Sequence, residues 1–208
     1  MIIEQILVTG MAVFCYLIGD ETTGDGLLID PAGDFEKIFE KIQKHNLNIK
    51  LIVNSHGHFD HICGNAHMLH KTGAELLIHK SDYKKMMGMM NNLISKIMCH
   101  ESSPLPERLL DDGDTIEVGN IKLKVIQTPG HTYGSICLYT KGHVFTGDTL
   151  FTEGFGRIDF RGNRYGQIMN SIKNKILTLP DDTIIWPGHH YGKYPTSTVM
   201  EQKRIYSI

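Results

Sequence analysis

Four short segments that carry histidine or aspartate each follow a predicted β-strand, and they constrain the fold more than any other feature. They are HGHFDH at residues 56–61, PGH at 129–131, GD at 147–148 and PGH at 187–189. The carboxyl ends of neighbouring strands can converge on one site, and metal ligands must be fixed to within a few tenths of an ångström. The sequence therefore favours a fold that brings these four strand ends together.

Short apolar runs bounded by turn residues predict strands in both halves of the chain. The predicted strands are residues 2–8, 11–18, 26–29, 50–54, 75–79, 115–118, 121–127, 135–139, 143–146 and 183–186. Turns at residues 119–120 and 141–142 suit hairpins. Helical spacing predicts helices at 35–45, with Asp34 as the N-cap, and at 65–71, 81–99, 165–177 and 197–206.

Two β-rich halves with outer helices predict an α/β fold in four layers. We expect an αββα sandwich of two mixed, mainly antiparallel β-sheets. A length of 208 residues suits one well-buried core. We find no repeat, low-complexity tract or linker, so a single domain over residues 1–208 is predicted.

Composition and charge favour a globular protein with small-molecule partners. Hydrophobic residues make up 41%, charged residues 21%, and the formal net charge is −2, so neither nucleic acid nor a membrane is an expected partner. The N-terminal segment carries Glu4 and lacks a basic region, which predicts a cytoplasmic protein without a secretory signal. Four cysteines without a CxxC pair predict reduced thiols, most of them packed as small hydrophobic residues.

Methionines concentrate between residues 86 and 98. They are Met86, Met87, Met89, Met90 and Met98. Because methionine fills irregular gaps, we expect a packed helical hairpin. An adaptable wall over a substrate site and a homodimer contact are the alternatives.

The spacing within HGHFDH has a physical logic. In an extended strand, His56, His58 and Asp60 would lie on one side. A strand end that turns into a helix can instead direct the first two histidines at one ion, and Asp60 and His61 at a neighbouring ion. Three nitrogen ligands suit zinc, and aspartate with histidines suits zinc or iron. Asp148 is the natural candidate to bridge two such ions.

The order HGHFDH, TPGHT, FTGDT and PGHHY resembles the metallo-β-lactamase superfamily, and most closely its glyoxalase II (hydroxyacylglutathione hydrolase) branch. The resemblance implies the metallo-β-lactamase fold and two divalent ions, zinc first, with iron or a mixed pair as alternatives. It implies one metal on His56, His58 and His131, a second on Asp60, His61 and His189, and Asp148 bridging both.

Such a centre would hydrolyse a small ester or thioester. Two cations about 3.5 Å apart can lower the pKa of a shared water from about 15.7 towards neutrality. The bridging hydroxide is expected to attack the carbonyl, whose oxygen one metal polarises. Asp60 is the predicted catalytic residue that orients this hydroxide or takes its proton. The resemblance implies S-lactoylglutathione or another acyl-thiol as the substrate, and hence a glutathione conjugate.

Three residues are predicted to contact the substrate. Glyoxalase II-like enzymes carry a basic residue at the place of Arg157 that helps to hold a carboxylate of glutathione, and arginine suits bidentate carboxylate binding. The alternative is that Arg157 pairs with Asp159 or caps a loop. Tyr133 and Tyr191, which follow His131 and His189, are aromatic candidates for the rim of the pocket.

Two other activities remain open at the level of sequence. The GRIDF run and the closing YGKYPTSTV segment resemble shorter glyoxalase II-like proteins. They also resemble persulfide dioxygenases, which use one iron on two histidines and an aspartate. By position those ligands would be His56, His131 and Asp148. A lactonase on the same fold is the other alternative. The complete second set of ligands favours hydrolysis.

Overall fold

The computed structural model describes residues 1–158 and 164–207, which contain two six-stranded sheets. The first sheet consists, in spatial order, of β1 (Ile2–Val8), β2 (Val13–Gly19), β3 (Asp25–Ile29), β4 (Asn48–Asn54), β5 (Glu75–His79) and β6 (Arg108–Leu110). Strands β1 to β3 pair antiparallel, and the pairings from β3 to β6 are parallel.

The second sheet is mainly antiparallel. It consists of β7 (Thr115–Val118), β8 (Ile121–Gln127), β9 (Ile136–Thr140), β10 (His143–Gly147), β11 (Ile184–Pro187) and β12 (Ser197–Thr198). Only the β10–β11 pairing is parallel in this sheet of the described chain. Both predicted hairpins are confirmed, because Val118 pairs with Ile121 and Thr140 pairs with His143.

Seven helices accompany the sheets in the described ranges. They are α1 (Phe35–Lys44), α2 (Phe59–Ile62), α3 (Asn65–Thr72), α4 (Tyr83–Met86), α5 (Met89–Cys99), α6 (Arg164–Ser171) and α7 (Val199–Ile205). A 3₁₀ turn (Lys80–Asp82) precedes α4, and α6 continues into a π-helical turn (Ile172–Ile176).

Three apolar clusters separate four layers of structure. Strand β2 shows how, because its side chains alternate between two of them: Cys15 and Leu17 pack with Ile38 of α1, whereas Phe14 and Tyr16 pack with the second sheet. A third cluster joins the outer face of the second sheet to α6 and α7. The order helix, sheet, sheet, helix confirms the predicted αββα sandwich.

Two local predictions near the helices hold only in part, because Asp34 occupies the N-cap position of α1 without acting as a capping side chain and the predicted helix over residues 81–99 is interrupted. Asp34 precedes α1 with a φ of 50° and makes no capping hydrogen bond; its Oδ2 instead accepts from the backbone N–H of Thr9 at 3.0 Å. The helix predicted over residues 81–99 is divided, because Gly88 adopts an extended conformation between α4 and α5. Apolar periodicity cannot detect such a break, since both pieces keep the helical pattern.

The methionine and cysteine predictions hold only in part. Met86 is buried, but Met89 is 89% exposed and Met90 is 67% exposed, so the expected packing fails along α5. Cys15 and Cys137 are buried and free, as expected, whereas Cys63 is disulfide-bonded. Spacing along the chain does not report which distant thiols the fold brings together. No helix in the described ranges combines the length and apolar character needed to cross a bilayer.

Candidate metal centre

Both sheets deliver side chains to one shared edge. In the first sheet, β4 ends at Asn54, His56 lies in the bend that follows, and His58 has extended backbone just before α2 begins at Phe59. The turn of α2 then carries Asp60 and His61, and the ring centroid of His61 lies 4.1 Å from that of His56. In the second sheet, His131 follows β8, Asp148 follows β10 and His189 follows β11.

All seven predicted metal ligands meet at this edge. Three overlapping groups have ligand atoms that lie within 4.8 Å of one another: His56 with His58 and His131; His56 with His61 and Asp148; and Asp60 with His61 and His189. The first and third groups match the two ligand sets expected from the resemblance. Asp148 lies between them.

Hydrogen bonds fix which ring nitrogens carry protons. His131 Nδ1 donates to the carbonyl oxygen of Arg157 at 2.7 Å. In a neutral ring, the Nε2 atom is then unprotonated and carries a lone pair. That Nε2 lies 2.8 Å from His58 Nδ1 and 3.2 Å from His56 Nε2. Three ring nitrogens therefore face a common point.

Asp30 orients two more rings in the same way. His61 Nδ1 donates to its carboxylate at 2.9 Å. Ser55 Oγ donates to the same carboxylate at 2.5 Å, so this hydroxyl can accept the Nδ1–H of His56 at 3.0 Å. Both histidines thus turn their Nε2 atoms towards the centre, where His61 Nε2 lies 3.2 Å from His189 Nε2.

The carboxylate of Asp148 faces ring nitrogens of three histidines. Its Oδ1 lies 3.4 Å from His61 Nε2, and its Oδ2 lies 3.4 Å from His131 Nε2 and 3.5 Å from His189 Nε2. The carboxylate is buried, and Oδ1 has no hydrogen-bond partner within the described part of the chain. Ring nitrogens and carboxylate oxygens that converge on one point can each offer a lone pair to a cation, so this donor set fits metal ions.

The electrostatics of the cluster agree with that fit. Burial lowers the pKa of His58 to about 2 and the pKa values of His131 and His189 to about 4, so these rings are neutral at pH 7 and can act as ligands. Burial also opposes charge on His61, but Asp148 and Asp30 outweigh it and raise that pKa to about 10. Burial raises the pKa of Asp148 to about 7. The carboxylates thus favour positive charge at this point.

Glycines allow the ligand loops to approach one another. A Cβ at Gly188 would lie 2.5 Å from Asp148 Oδ1. A Cβ at Gly156 would lie 2.2 Å from the backbone oxygen of Asp148 and 2.9 Å from His131 Nδ1. Sequence reasoning missed Gly156, Asp30 and Ser55. Asp30 could have been found, because it also stands at the carboxyl end of a strand, β3.

A cavity of about 310 Å³ opens onto the cluster. Its lining comprises His58, Phe59, Asp60, His131, Asp148, Phe151, Arg157, His189 and Tyr191. A larger cavity of about 720 Å³ lies beside α7 and contains none of the seven predicted ligands. Chemistry rather than size therefore identifies the candidate site.

The three predicted substrate-binding residues are placed differently. Arg157 and Tyr191 line the cavity, and the ring of Tyr191 stacks on His189 with centroids 4.5 Å apart. Tyr133 is not part of the described lining; its ring lies 4.6 Å from Cζ of Arg164. The alternative pairing of Arg157 with Asp159 falls outside the described residues.

Comparison with known proteins places the chain in a family. A family model described as the metallo-beta-lactamase superfamily matches residues 8–189. Hydroxyacylglutathione hydrolase GloC from Haemophilus influenzae is 32% identical over 206 residues, which cover 97% of this chain and 95% of that protein. Mitochondrial persulfide dioxygenase ETHE1 from Homo sapiens is 30% identical over 207 residues, which cover 98% of this chain and 74% of that protein.

A solved structure also resembles this chain. It is a protein crystallised in a di-iron-bound form that is 27% identical, with a TM-score of 0.77, and the match covers 97% of this chain and 97% of that protein. The matched residues include all seven converging side chains. The chain therefore belongs to the metallo-beta-lactamase superfamily, whose members are metal-dependent hydrolases or related enzymes.

Proposed function

We propose that this chain is a two-metal hydrolase of a small thioester or ester, with an acyl-thiol such as a glutathione conjugate as the substrate class. One observation carries the proposal. The side chains form two complete groups, one of three histidines and one of Asp60, His61 and His189, with the carboxylate of Asp148 between them. The similarity to a hydroxyacylglutathione hydrolase supports the choice of substrate class.

The two groups would each hold one cation, with zinc as the first choice and iron as the alternative. Such ions would supply a water of lowered pKa and polarise a carbonyl oxygen. The neutral rings of His58, His131 and His189 would provide the nitrogen ligands. Asp30 would keep His61 turned towards the centre through its Nδ1–H.

Asp60 is the proposed acceptor of the proton of the attacking water. Its side chain is 25% exposed and lines the cavity, and its Oδ2 lies 3.6 Å from His189 Nε2. One carboxylate oxygen could serve as a ligand while the other orients the water or takes its proton. Among the seven side chains, Asp60 and His58 are the least enclosed, which suits a group that must meet solvent and substrate.

Two residues of the cavity wall could bind the part of the substrate that lies outside the metal centre. Arg157 is exposed and lines the cavity beside His131, so its guanidinium could bind a carboxylate of the leaving thiol. The half-exposed ring of Tyr191 provides an apolar edge next to His189. These two residues would position a small anionic acyl-thiol with its carbonyl at the cluster.

Metal analysis combined with a substrate panel tests the proposal. We expect about two zinc or iron ions per chain and turnover of at least one acyl-thiol among thioesters, lactones and glutathione persulfide. His189→Ala should lose metal and activity together, as should His58→Ala and Asp148→Ala. His190→Ala is the matched control, because that neighbouring ring packs on Phe14, with centroids 5.3 Å apart, rather than in the cluster.

A persulfide dioxygenase is the second candidate, favoured by the similarity to mitochondrial ETHE1. It predicts one iron per chain and oxygen uptake with glutathione persulfide. That result would overturn hydrolysis as the function. Full activity of His189→Ala would also overturn it, because hydrolysis as proposed needs both groups of ligands.

A further inference from the structure

A buried aspartate outside the ligand set joins two of the ligand loops. Asp82 lies in the 3₁₀ turn after β5 and is 1% exposed. Its Oδ2 accepts the backbone N–H of Gly57 at 2.8 Å, and its Oδ1 accepts the backbone N–H of Gly134 at 2.8 Å. The same carboxylate therefore holds a segment that follows the first sheet and a segment of the second.

These two segments carry the whole three-histidine group. Gly57 stands between His56 and His58, so its N–H belongs to the peptide that joins His56 to Gly57. Gly134 follows His131 in a loop that is braced internally, because Ser135 Oγ accepts the N–H of Thr132 at 3.1 Å. The position of Gly134 is therefore transmitted to His131.

The two glycines are independent signs of how closely Asp82 is packed. A Cβ at Gly134 would lie 2.5 Å from the backbone nitrogen of Asp82 and 2.7 Å from its Cβ. A Cβ at Gly57 would lie 3.0 Å from the backbone oxygen of Asp82 and 2.9 Å from the nitrogen of Met86. No other residue type would leave room for the carboxylate to reach both N–H groups.

The chemistry of the contact requires a carboxylate. Burying this charge is costly unless its oxygens accept hydrogen bonds, and two backbone N–H groups meet that need. An asparagine has one acceptor oxygen and one NH₂ group, so it could satisfy only one of the two glycines and would present donors to the other. The site thus distinguishes two side chains of nearly the same shape.

We propose that Asp82 is a positioning residue that sets the distance between the His56–His58 loop and His131, and so controls the metal affinity of that group alone. The second group is held by other contacts. Asp30 orients His61, and His189 comes directly after Gly188, whose backbone N–H donates to the carbonyl oxygen of Gly147. The inference rests on the proposed metal binding but not on the identity of the substrate.

Stepwise titration of the metal-free protein with Zn²⁺ or Co²⁺ tests this role, with His58→Ala and His189→Ala as references that identify each ion. In Asp82→Asn, the affinity for the ion lost in His58→Ala should fall about 10- to 100-fold, as for other residues that orient ligands. The affinity for the ion lost in His189→Ala should stay within about threefold of that of the unaltered protein.

Asp20→Asn is the matched control. Asp20 is also a buried aspartate whose two oxygens accept backbone N–H groups, from Thr22 at 2.9 Å and from Asn120 at 2.6 Å, and a Cβ at Gly119 would lie 2.5 Å from its Oδ2. It lies at the β7–β8 hairpin, so both metal affinities should remain unchanged. Equal loss of both ions in Asp82→Asn, or loss of neither, would overturn the proposal.

A loss of metal affinity must be distinguished from a loss of folded structure. Thermal unfolding of the metal-free variants checks that each is folded before titration. Should Asp82→Asn not fold, Gly134→Ala decides, because its Cβ would displace Asp82, and it should show the same selective loss. If the unaltered protein binds two ions but turns over no thioester, the proposed function fails while the role of Asp82 stands.

Discussion

Asp30 determines which nitrogens of two histidines face the centre, although it contributes no atom to the converging groups. It receives the Nδ1–H of His61 directly and acts on His56 through Ser55. Its own backbone is held in the left-handed region, with a φ of 50°. A strained aspartate that orients two ligand rings is expected to matter more for metal binding than for packing.

Asp30→Asn should therefore lower metal affinity by about 10- to 100-fold, because an amide can donate to, as well as accept from, its two partners. Equilibrium dialysis against a metal buffer measures the change. Asp34→Asn is the control, since Asp34 has the same φ of 50° but contacts Thr9, the residue after β1. Equal affinities in the two variants would show that the orientation of His61 does not depend on the carboxylate.

Among the residues of the candidate site, those that follow strands were the best predicted from the sequence. The seven converging side chains were predicted because each stands near the carboxyl end of a strand, and β-sheet geometry carries such ends to one edge. Asp82 and Gly156 were missed because their roles depend on contacts with residues far away in the sequence. Tyr133 was expected at the rim; its ring lies against Arg164, and its contact with substrate stays a prediction.

Among the secondary-structure elements, α1 and β1 are joined by a small network of charges. Glu4 of β1 contacts His45 Nε2 at 2.6 Å and the Nζ atoms of Lys41 and Lys44 at 3.0 Å each. Hydrogen bonding from His45, with further contributions from the two lysines, lowers the pKa of Glu4 from 4.5 to about 2. The folded state thus binds the proton more weakly than the unfolded state does.

The sign of the pH effect follows from that difference. The stabilisation by Glu4 is fully present above about pH 4.5 and is lost as the pH falls towards 2. Glu4→Gln should lower the free energy of unfolding at pH 7 by about 1 kcal/mol or less, since the pairs are partly exposed. Urea unfolding at several pH values should show the difference vanish at low pH, unlike in the exposed control Glu40→Gln. A difference that grows below pH 4 would contradict this sign.

Elements with one clear periodicity were predicted, and those that depend on tertiary contacts were not. Strands β1, β5, β7 and β8 have the predicted bounds. Strand β6 was missed because its three residues carry too short a pattern, and it exists because Leu109 pairs with Ile78 of β5. The expected helix start at residue 197 was wrong, since Ser197 and Thr198 extend the second sheet before α7.

At the scale of the whole molecule, the candidate metal centre joins the two sheets. His56, His58, Asp60 and His61 follow a strand of the first sheet, and His131, Asp148 and His189 follow strands of the second. Ions held between them would add a further link between two halves that already share an apolar interface, backbone hydrogen bonds and side-chain hydrogen bonds such as those of Tyr16 and Asp82. We propose that residues 1–208 unfold as one domain for this reason.

Removal of metal should then lower the thermal stability of the whole protein. An ion present at 100 times its Kd stabilises the folded state by about 2.7 kcal/mol. Scanning calorimetry should show one transition that moves to lower temperature after chelation and returns when metal is added back. His58→Ala should respond less. Two separate transitions, of which only one responds to chelation, would contradict a single cooperative unit.

The fold class itself could be predicted because binary patterns are local and sheet geometry is general. The contacts that orient the ligand side chains could not be predicted from the sequence, because they depend on how the loops of different sheets meet. Gly57 and Gly134 illustrate this limit, because each is an unremarkable loop glycine in the sequence. Gly57 meets Asp82 beyond the ends of the neighbouring strands β4 and β5, and Gly134 meets it only where the second sheet packs on the first.

We propose that seven side chains from both sheets hold two metal ions. Crystals of the protein loaded with zinc, measured at the zinc absorption edge, test it most directly. The anomalous map should show two peaks, one among His56, His58 and His131 and one among Asp60, His61 and His189, with Asp148 contacting both. A fully loaded crystal without peaks at these positions, or with a single peak elsewhere, would rule out metal binding by these seven residues.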